Sequence, residues 1–285
     1  MTMPGIDLQD VIARIQDLPS LPAVVTELLS SMEQEDIDTH LLADKITLDQ
    51  ALTAKTLRLA NSSFYGMQSQ VTSIQQAITV LGFHSIRTLV TACSITGSFQ
   101  PAPGSRFDFE AFWRHAVGTA VAARALAPHL RQNPETAFTA GLLHDLGTLV
   151  LVTSYPALYR QAELYRGSHD CGEAEAERAI FGLDHALVGS TLAAHWKFPL
   201  AIQAAVAGHH DLSGPDACSP SLALTVHLAN ILAHALDLSG IEDDLVPPLS
   251  RQAWTSAALS DDDCLQVLRD IELGFQEMCQ ILVGA

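Results

Sequence analysis

The sequence is poor in positive charge. Lys and Arg together number 15 against 32 Asp and Glu, so the formal net charge is −17. An acidic surface is repelled by the phosphate backbone of nucleic acids and by anionic lipid. The composition therefore argues against nucleic acid and against a membrane surface as partners.

The sequence also lacks long hydrophobic runs. Its longest apolar stretches, such as residues 149–152, are far shorter than the ~18 to 20 residues that a membrane-spanning helix needs. The first ten residues hold no Lys or Arg and include Asp7 and Asp10, unlike the cationic start of a secretory signal. We therefore expect a cytoplasmic protein that is not inserted in a membrane.

Cysteine is scarce and contains no paired motif. The five cysteines are odd in number and widely spread, and no CxxC pair occurs. This pattern excludes a disulfide framework and a zinc ribbon. We expect reduced thiols without a function at Cys93, Cys171, Cys218, Cys264 and Cys279.

Apolar residues recur at helical spacing along most of the 285 residues, of which 48% are hydrophobic. Residues 222–228 alternate in polarity, but they lead directly into helix formers, so we predict a helix there as well. The sequence as a whole predicts an all-α fold. The clearest spacings are those of Ile74, Ala77, Ile78 and Leu81, and of Ile271, Phe275, Met278 and Leu282.

Helix-breaking residues divide the chain into three predicted regions. Proline and glycine cluster at residues 101–105, at 213–220 and again from Ser239 onward. We predict a helical N-terminal lobe (1–103), a helical domain with a His/Asp cluster (104–240) and a C-terminal helical extension (241–285). Residues 115–234 hold ten of the chain's twelve histidines, so any chemistry is expected in the middle region.

Two doublets of coordinating residues stand in apolar surroundings. His144 and Asp145 interrupt an otherwise apolar helix that we predict over residues 140–147. A carboxylate buried beside an imidazole costs several kcal/mol unless a cation or strong hydrogen bonds compensate it. Adjacent residues lie about 100° apart around a helix, so both can reach one ion beside it. The same reasoning applies to His209 and His210.

Further candidates are His115 and His185, each on an apolar helical segment. Imidazole and carboxylate together suit Fe, Mn, Zn or Ni, as one ion or two. Spacing alone leaves two alternatives open, a metal site or packed core histidines. His227 and Asn230 share a helical face and either line the same pocket or serve no function there. We interpret the remaining histidines as ordinary core or surface residues: His40, His84, His129, His169, His195 and His234.

Several short motifs in a fixed order carry a resemblance to a known family. They are Leu18-Pro19-Ser20-Leu21-Pro22, residues 57–66, residues 141–147, Asp184-His185, Trp196-Lys197-Phe198-Pro199 and His209-His210. Their order and spacing resemble the HDOD (HD-related output domain) family of bacterial signalling proteins, within the HD superfamily of metal-dependent phosphohydrolases. The resemblance implies a helical N-terminal lobe packed on an HD-type helical bundle.

The resemblance also implies a ligand set. Catalytic HD relatives, especially the HD-GYP cyclic-dinucleotide phosphodiesterases, use the order His, His-Asp, His, His-His, Asp. By analogy, one metal is held by Asp145, His185, His209 and His210. The second metal uses His115, His144, Asp145 and a final carboxylate, whose place Asn230 takes here as a neutral and weaker donor.

Two further departures from the catalytic relatives concern turnover. Thr148 stands where those families commonly have Lys, and no Gly-Tyr-Pro loop follows His210. Two-metal phosphodiester hydrolysis needs a cation to steady the phosphate. The leading hypothesis is therefore a metal-binding regulatory module with degraded catalysis that acts by binding signalling proteins.

The alternative is an active metal-dependent phosphohydrolase acting on a nucleotide or cyclic dinucleotide. Asp145 is then the catalytic residue that bridges the ions, and Arg114 or Lys197 supplies the missing cation. Six of the seven ligand positions are retained, which favours this alternative. Metal-dependent turnover that is abolished in Asp145→Ala distinguishes it from the regulatory reading.

The N-terminal motifs have structural explanations. The Leu-Pro-x-Leu-Pro segment fixes an extended entry to a helix, and Asn61-Ser62-Ser63 ends the helix that begins near Asp49. The alternative for the following residues is that Phe64-Tyr65-Gly66 forms an exposed aromatic contact site. Near the C-terminus, Asp261-Asp262-Asp263 is predicted to cap a last helix.

Overall fold

The computed structural model describes residues 6–17, 21–30, 38–66, 70–99, 107–211, 219–241 and 245–284. These residues form helices and no strand, which confirms the all-α prediction. Residues 18–20 of the Leu-Pro motif, the predicted boundary at 103/104 and residues 213–218 lie outside the described residues. The helices are α1 Leu8–Gln16, α2 Ala23–Ser30, α3 Thr39–Thr47, α4 Gln50–Ala60, α5 Ile74–Leu81, α6 Phe83–Ser98, α7 Phe109–Leu126, α8 Pro134–Leu143, α9 Leu146–Ser154, α10 Pro156–His169, α11 Glu173–Phe181, α12 His185–His195, α13 Leu200–Gly208, α14 Leu222–Ala235, α15 Arg251–Ala257 and α16 Asp261–Leu282.

Local sequence signals set several helix ends as predicted. The Asp49 carboxylate accepts a hydrogen bond from the backbone N of Leu52 at 3.0 Å and caps the start of α4. Asn61 follows the last residue of that helix. The predicted helix at 74–81 is α5, and the alternating segment 222–228 belongs to α14.

The hydrophobic core runs without interruption through all three predicted regions. Helix α7 lies at its centre and packs against α8, α14 and α16. Helix α1 belongs to the predicted N-terminal lobe by sequence, yet it contacts α9 and α12 of the middle region, and the backbone N of Ile6 donates to the Phe181 carbonyl at 2.7 Å. The division at residues 103 and 240 stays a prediction.

The C-terminal extension lies against both of the preceding regions. Helix α16 contacts α7 on one side and α4 and α6 on the other. It starts with a capping box in which Ser260 and Asp263 bond each other's backbone N–H groups. The four apolar residues predicted on its inner face are buried: Ile271, Phe275, Met278 and Leu282.

One apolar segment, Pro134–Ser154, is long enough to cross a membrane by length and composition. It consists of α8 and α9 with the turn between them, and 83% of its most hydrophobic window is buried inside the fold. It therefore serves as core, which is compatible with a soluble protein. A cytoplasmic location stays a prediction.

Glycines allow the central helices to touch backbone to backbone. A Cβ on Gly147 of α9 would overlap the carbonyl oxygen of His185 and lie 2.6 Å from the backbone N of Gly189 in α12. A Cβ on Gly141 of α8 would lie 2.9 Å from Cα of Ala120 in α7. These close approaches bring the ends of α8, α9 and α12 together around one point.

Candidate metal centre

The two doublets stand at helix ends. Helix α8 ends at Leu143, and Asp145 occupies the turn before α9 with φ −104° and ψ 9°. His209 and His210 likewise follow the last residue of α13. The prediction that His144 and Asp145 lie within one continuous helix is therefore wrong in detail.

The helix ends orient the first histidine of each doublet. The last carbonyls of a helix have no partner within it. Nδ1 of His144 lies 2.7 Å from the Gly141 carbonyl oxygen, and Nδ1 of His209 lies 2.7 Å from that of Val206. In both doublets the ring is held by the carbonyl three residues earlier, and its Nε2 faces away from the backbone.

Four imidazoles surround the carboxylate of Asp145. Its Oδ2 lies 2.9 Å from Nε2 of His144 and 3.4 Å from Nε2 of His115. Its Oδ1 lies 3.3 Å from Nε2 of His185 and 3.4 Å from Nε2 of His209. All four histidines are buried. His210 has a donor atom within 4.8 Å of those of Asp145, His185 and His209, so the six residues predicted from sequence lie together.

Hydrogen-bond acceptors face one another around the Asp145 carboxylate. Because Nδ1 of His144 donates its proton to a carbonyl, the neutral ring presents an unprotonated Nε2 to the Asp145 carboxylate. Nε2 of His185 lies 2.8 Å from Nε2 of His210, a distance at which a proton or a metal ion must lie between the two nitrogens. Acceptors at these distances repel one another unless a proton or a metal ion lies between them. The donor set therefore fits a metal ion.

The ionisation of the cluster also fits a metal. Burial lowers the pKa of His144 to about 4 and lowers the pKa of His210 further. Burial opposes ionisation of Asp145, but the facing histidines outweigh it and hold its pKa well below the usual value. Neutral imidazole and ionised carboxylate are the forms that bind metal.

His185 is the exception in this cluster. Burial disfavours its protonated form, but the Glu177 charge and the hydrogen bonds to Asp145 and Glu177 raise its pKa well above the usual value. Without a metal, the proton on this ring relieves part of the repulsion with Asp145.

The donor atoms separate into two sets that share Asp145. Within each set they lie within 4.8 Å of one another. The first set is Asp145, His185, His209 and His210, and the second is His115, His144 and Asp145. This division is the one that the family resemblance implies. Its function as a metal site stays a prediction.

Helix α14 forms one wall beside these sets. Nδ1 of His227 donates to the backbone carbonyl of His209 at 2.7 Å, so this side chain packs beside a predicted ligand. Asn230 is buried one turn later, and its Oδ1 has no hydrogen-bond partner within the described part of the chain. The ring of His234 lies 4.4 Å from that of His115.

Sequence reasoning missed two of these neighbours. The sequence suggests an ordinary histidine at His234, although its spacing from His227 and Asn230 places all three on one face of a helix. The second is Glu177 of α11. Its Oε2 lies 2.7 Å from Nδ1 of His185, and nothing in its acidic local sequence signals burial.

The proposed phosphate cations lie elsewhere. Nε of Arg114 donates to the Ser239 carbonyl at 3.3 Å, and its guanidinium stands 5.3 Å from the centre of the Phe275 ring in α16. Lys197 is exposed in the turn between α12 and α13. Thr148 is buried, and its backbone N donates to the Asp145 carbonyl at 2.9 Å.

The fold and the cluster together define an all-helical protein of the HD type. The sequence pattern of the HDOD domain matches residues 18–212. The chain belongs to the HDOD domain family, which confirms the resemblance found in the sequence.

Among curated proteins, an "Uncharacterized protein" of Treponema pallidum (strain Nichols) is 26% identical over 227 residues. The match covers 79% of this chain and 44% of that protein. The chain thus spans less than half the length of this relative.

Solved structures support the same fold. A "Putative phosphohydrolase" from Shewanella amazonensis SB2B is 28% identical, with a TM-score of 0.74 over 95% of this chain and 97% of that one. An HDOD domain protein with unknown function from Geobacter sulfurreducens is 23% identical, with a TM-score of 0.74 over 96% and 98%. The second likeness concerns the fold alone.

Proposed function

We propose that this protein is a regulatory module of bacterial signal transduction that binds a divalent transition metal and acts by binding signalling proteins. The observation that carries the proposal is the set of acceptor–acceptor contacts around Asp145, which a bound cation would relieve. Membership of the HDOD family supports a role in signalling.

One metal would be held by Asp145, His185, His209 and His210, and Fe, Mn, Zn and Ni all suit this mixture of donors. A second ion at His115, His144 and Asp145 would be held less tightly, because neutral Asn230 replaces the final carboxylate. Bound there, the metal would supply Lewis-acid chemistry.

Three features argue against efficient turnover. Among the described residues, the second donor set has no carboxylate besides the shared Asp145. Thr148 replaces the lysine of catalytic relatives. Arg114, one of the two candidates for a substitute cation, lies over the Phe275 ring and donates to the Ser239 carbonyl. Without a cation to stabilise developing phosphate charge, hydrolysis loses a major contribution.

The second candidate function is an active phosphohydrolase for a nucleotide or cyclic dinucleotide. One observation favours it: Asp145 faces one donor set with Oδ1 and the other with Oδ2. A carboxylate in this position would help to hold both ions, and the ions would supply Lewis-acid chemistry and a nucleophilic water. Asp145 would then be the catalytic residue.

The first experiment measures metal content by mass spectrometry. The protein is purified without chelator or affinity-column metal, and a second sample is incubated anaerobically with Mn and Fe. We expect about one or more ions per chain, lost in His209→Ala/His210→Ala. The matched control is His40→Ala/His195→Ala, which removes two exposed imidazoles. No bound metal in either sample would refute the proposal.

A second experiment separates regulation from catalysis. The metal-loaded protein is assayed against a panel of nucleotides, cyclic dinucleotides and simple phosphodiesters. We expect no turnover above that of Asp145→Ala. Turnover that Asp145→Ala abolishes would establish the phosphohydrolase in place of the regulatory module.

A further inference from the structure

One buried carboxylate beside the metal centre belongs to neither donor set. Glu177 lies on α11 and is 1% exposed. Its Oε2 accepts hydrogen bonds from the backbone N and from Nδ1 of His185, both at 2.7 Å. Its Oε1 is buried with no hydrogen-bond partner among the described residues. Burial of a carboxylate costs free energy unless a partner compensates its charge.

The acceptors that hold the three histidine rings differ, and this difference indicates a role for Glu177. Nδ1 of His144 and of His209 donates to a neutral backbone carbonyl, whereas Nδ1 of His185 donates to a carboxylate. A hydrogen bond to an anion is the stronger one, and it draws the proton away from the ring. The opposite nitrogen, Nε2, becomes a stronger electron donor as a result.

That nitrogen is the one aimed at the proposed ion. Nε2 of His185 lies 3.3 Å from Oδ1 of Asp145 and 2.8 Å from Nε2 of His210. The two bonds from Glu177 reach both the backbone and the ring of His185, so they fix the ring's position as well as its tautomer.

We infer that Glu177 is a positioning residue that holds His185 in its metal-binding orientation and strengthens its Nε2 as a ligand. The inference rests on the proposed metal-binding function. It accounts for the buried charge, because Glu177 adds a second negative charge next to a donor set whose only carboxylate is Asp145.

A neighbouring carboxylate offers both a rival explanation and a control. Glu173 lies one turn earlier on α11, and its Oε1 accepts a hydrogen bond from the Tyr159 hydroxyl at 2.9 Å. Donor atoms of Glu173, Glu177 and His185 lie within 4.8 Å of one another. If these three held an ion of their own, Glu173 and Glu177 would matter equally.

The test compares the full-length protein with Glu177→Gln and Glu173→Gln. Glutamine keeps the size and a carbonyl acceptor but removes the charge. Affinity for Co²⁺ is measured by equilibrium dialysis, and the ligand field of the bound ion by its visible absorption spectrum. We expect Glu177→Gln to weaken Co²⁺ binding by roughly 10- to 100-fold and to shift the spectrum. Glu173→Gln should match the unaltered protein in both respects.

A purely structural role would not move the spectrum of the bound ion. Thermal unfolding of the metal-free variants is therefore recorded in parallel, and we expect both to unfold like the unaltered protein. If Glu177→Gln unfolds at a lower temperature, the visible spectrum of its bound Co²⁺ distinguishes a positioning role from a purely structural one. An unshifted spectrum overturns the inference.

The remaining outcomes are distinct. Unchanged affinity in Glu177→Gln overturns the positioning role and leaves the metal site intact. Equal losses in Glu177→Gln and Glu173→Gln mean that the acidic cluster itself binds the ion, which also overturns the role. No Co²⁺ binding by the unaltered protein refutes the proposed function, and the inference fails with it.

Discussion

The turn after α4 and the centre around Asp145 are both built from polar residues of the family motifs, but they differ in how those polar groups are paired. At the turn, Nδ2 of Asn61 donates to the carbonyls of Leu57 and Val71, and Oδ1 accepts from the backbone N of Val71. Around Asp145, acceptors face acceptors. The polar groups of the first region are paired within the protein, whereas those of the second would be paired by the proposed cation.

The rest of the turn is paired in the same way. The backbone N and the hydroxyl of Ser63 both bond Glu277 of α16. The Phe64 ring lies under the guanidinium of Arg124 at 4.3 Å and fills the space above Gly274. These contacts are with the protein itself, which supports the structural explanation of the motif over an exposed aromatic contact site.

The largest effect is expected from Asp145→Asn. The change keeps the shape of the side chain but removes the only charge shared by the two donor sets. We expect metal content to fall to the background level for both sets, measured by mass spectrometry after dialysis. Asp49→Asn serves as control, because asparagine still caps α4. If Asp145→Asn retained its metal, the ion would bind elsewhere, and the contrast between the Asp145 centre and the turn after α4 would not hold.

Gly147→Ala should disturb the close backbone contact between α9 and α12 beside the centre. The added methyl group would meet the His185 carbonyl and the Gly189 backbone. We expect a loss of more than about 3 kcal/mol in the free energy of unfolding, measured in urea. Gly167→Ala in α10 meets nothing within 4 Å and should stabilise by about 0.5 to 1 kcal/mol. Equal stability of the two variants would contradict the close approach.

Asn61→Ala tests the other region. It removes three hydrogen bonds and leaves the backbone N–H and carbonyl of Val71 without their Asn61 partners, at an expected cost of about 2 to 3 kcal/mol. Gln70→Ala, an exposed neighbour, should leave stability unchanged. We expect metal content to stay as in the unaltered protein. Metal loss in Asn61→Ala would show that the two regions are not independent.

The smallest effect concerns pH in the metal-free protein. An unfolded histidine has a pKa near 6.5, whereas burial lowers that of His144 to about 4. Below pH 6.5 the unfolded chain therefore gains protons that folded His144 does not, and stability falls until about pH 4. The lowered pKa values of His210 and His227 act in the same direction, and the raised pKa of His185 opposes them.

Three histidine pKa values are lowered and one is raised, and the raised pKa of Glu177 also opposes the trend. We therefore expect the free energy of unfolding to decrease by about 1 to 2 kcal/mol from pH 7 to pH 5. Urea titrations in the presence of chelator measure it. The turn at residues 61–66 contains no histidine, so Asn61→Ala should lower the whole curve without changing its slope. A rise in stability toward pH 5 would contradict the assignment.

Helix positions were largely predictable, because local spacing decides them. The apolar residues of α5 and the capping carboxylate of Asp49 act within a few residues of themselves. The break between Leu143 and Leu146 could not be predicted, because apolar residues on both sides continue the helical pattern. Contacts with α7 and α12 produce it, and these contacts join distant parts of the chain.

The site was predictable as a set of ligands but not as a complete environment. Residues from His115 to His210 could be gathered because their order matched a family pattern. Glu177 could not be added, because the sequence from Glu173 to Glu177 alternates Glu with Ala and resembles a solvated helix face. Its burial comes from packing beside α10 and α12, which no local pattern encodes.

The anchoring of His144 and His209 on main-chain carbonyls has an evolutionary consequence. A carbonyl is the same in every amino acid, so mutations in the surrounding side chains leave the direction of these two rings unchanged. Side chains around the centre can then be replaced one at a time while the geometry of the centre persists. A lineage could thus convert an enzyme into a signalling module without rebuilding its interior.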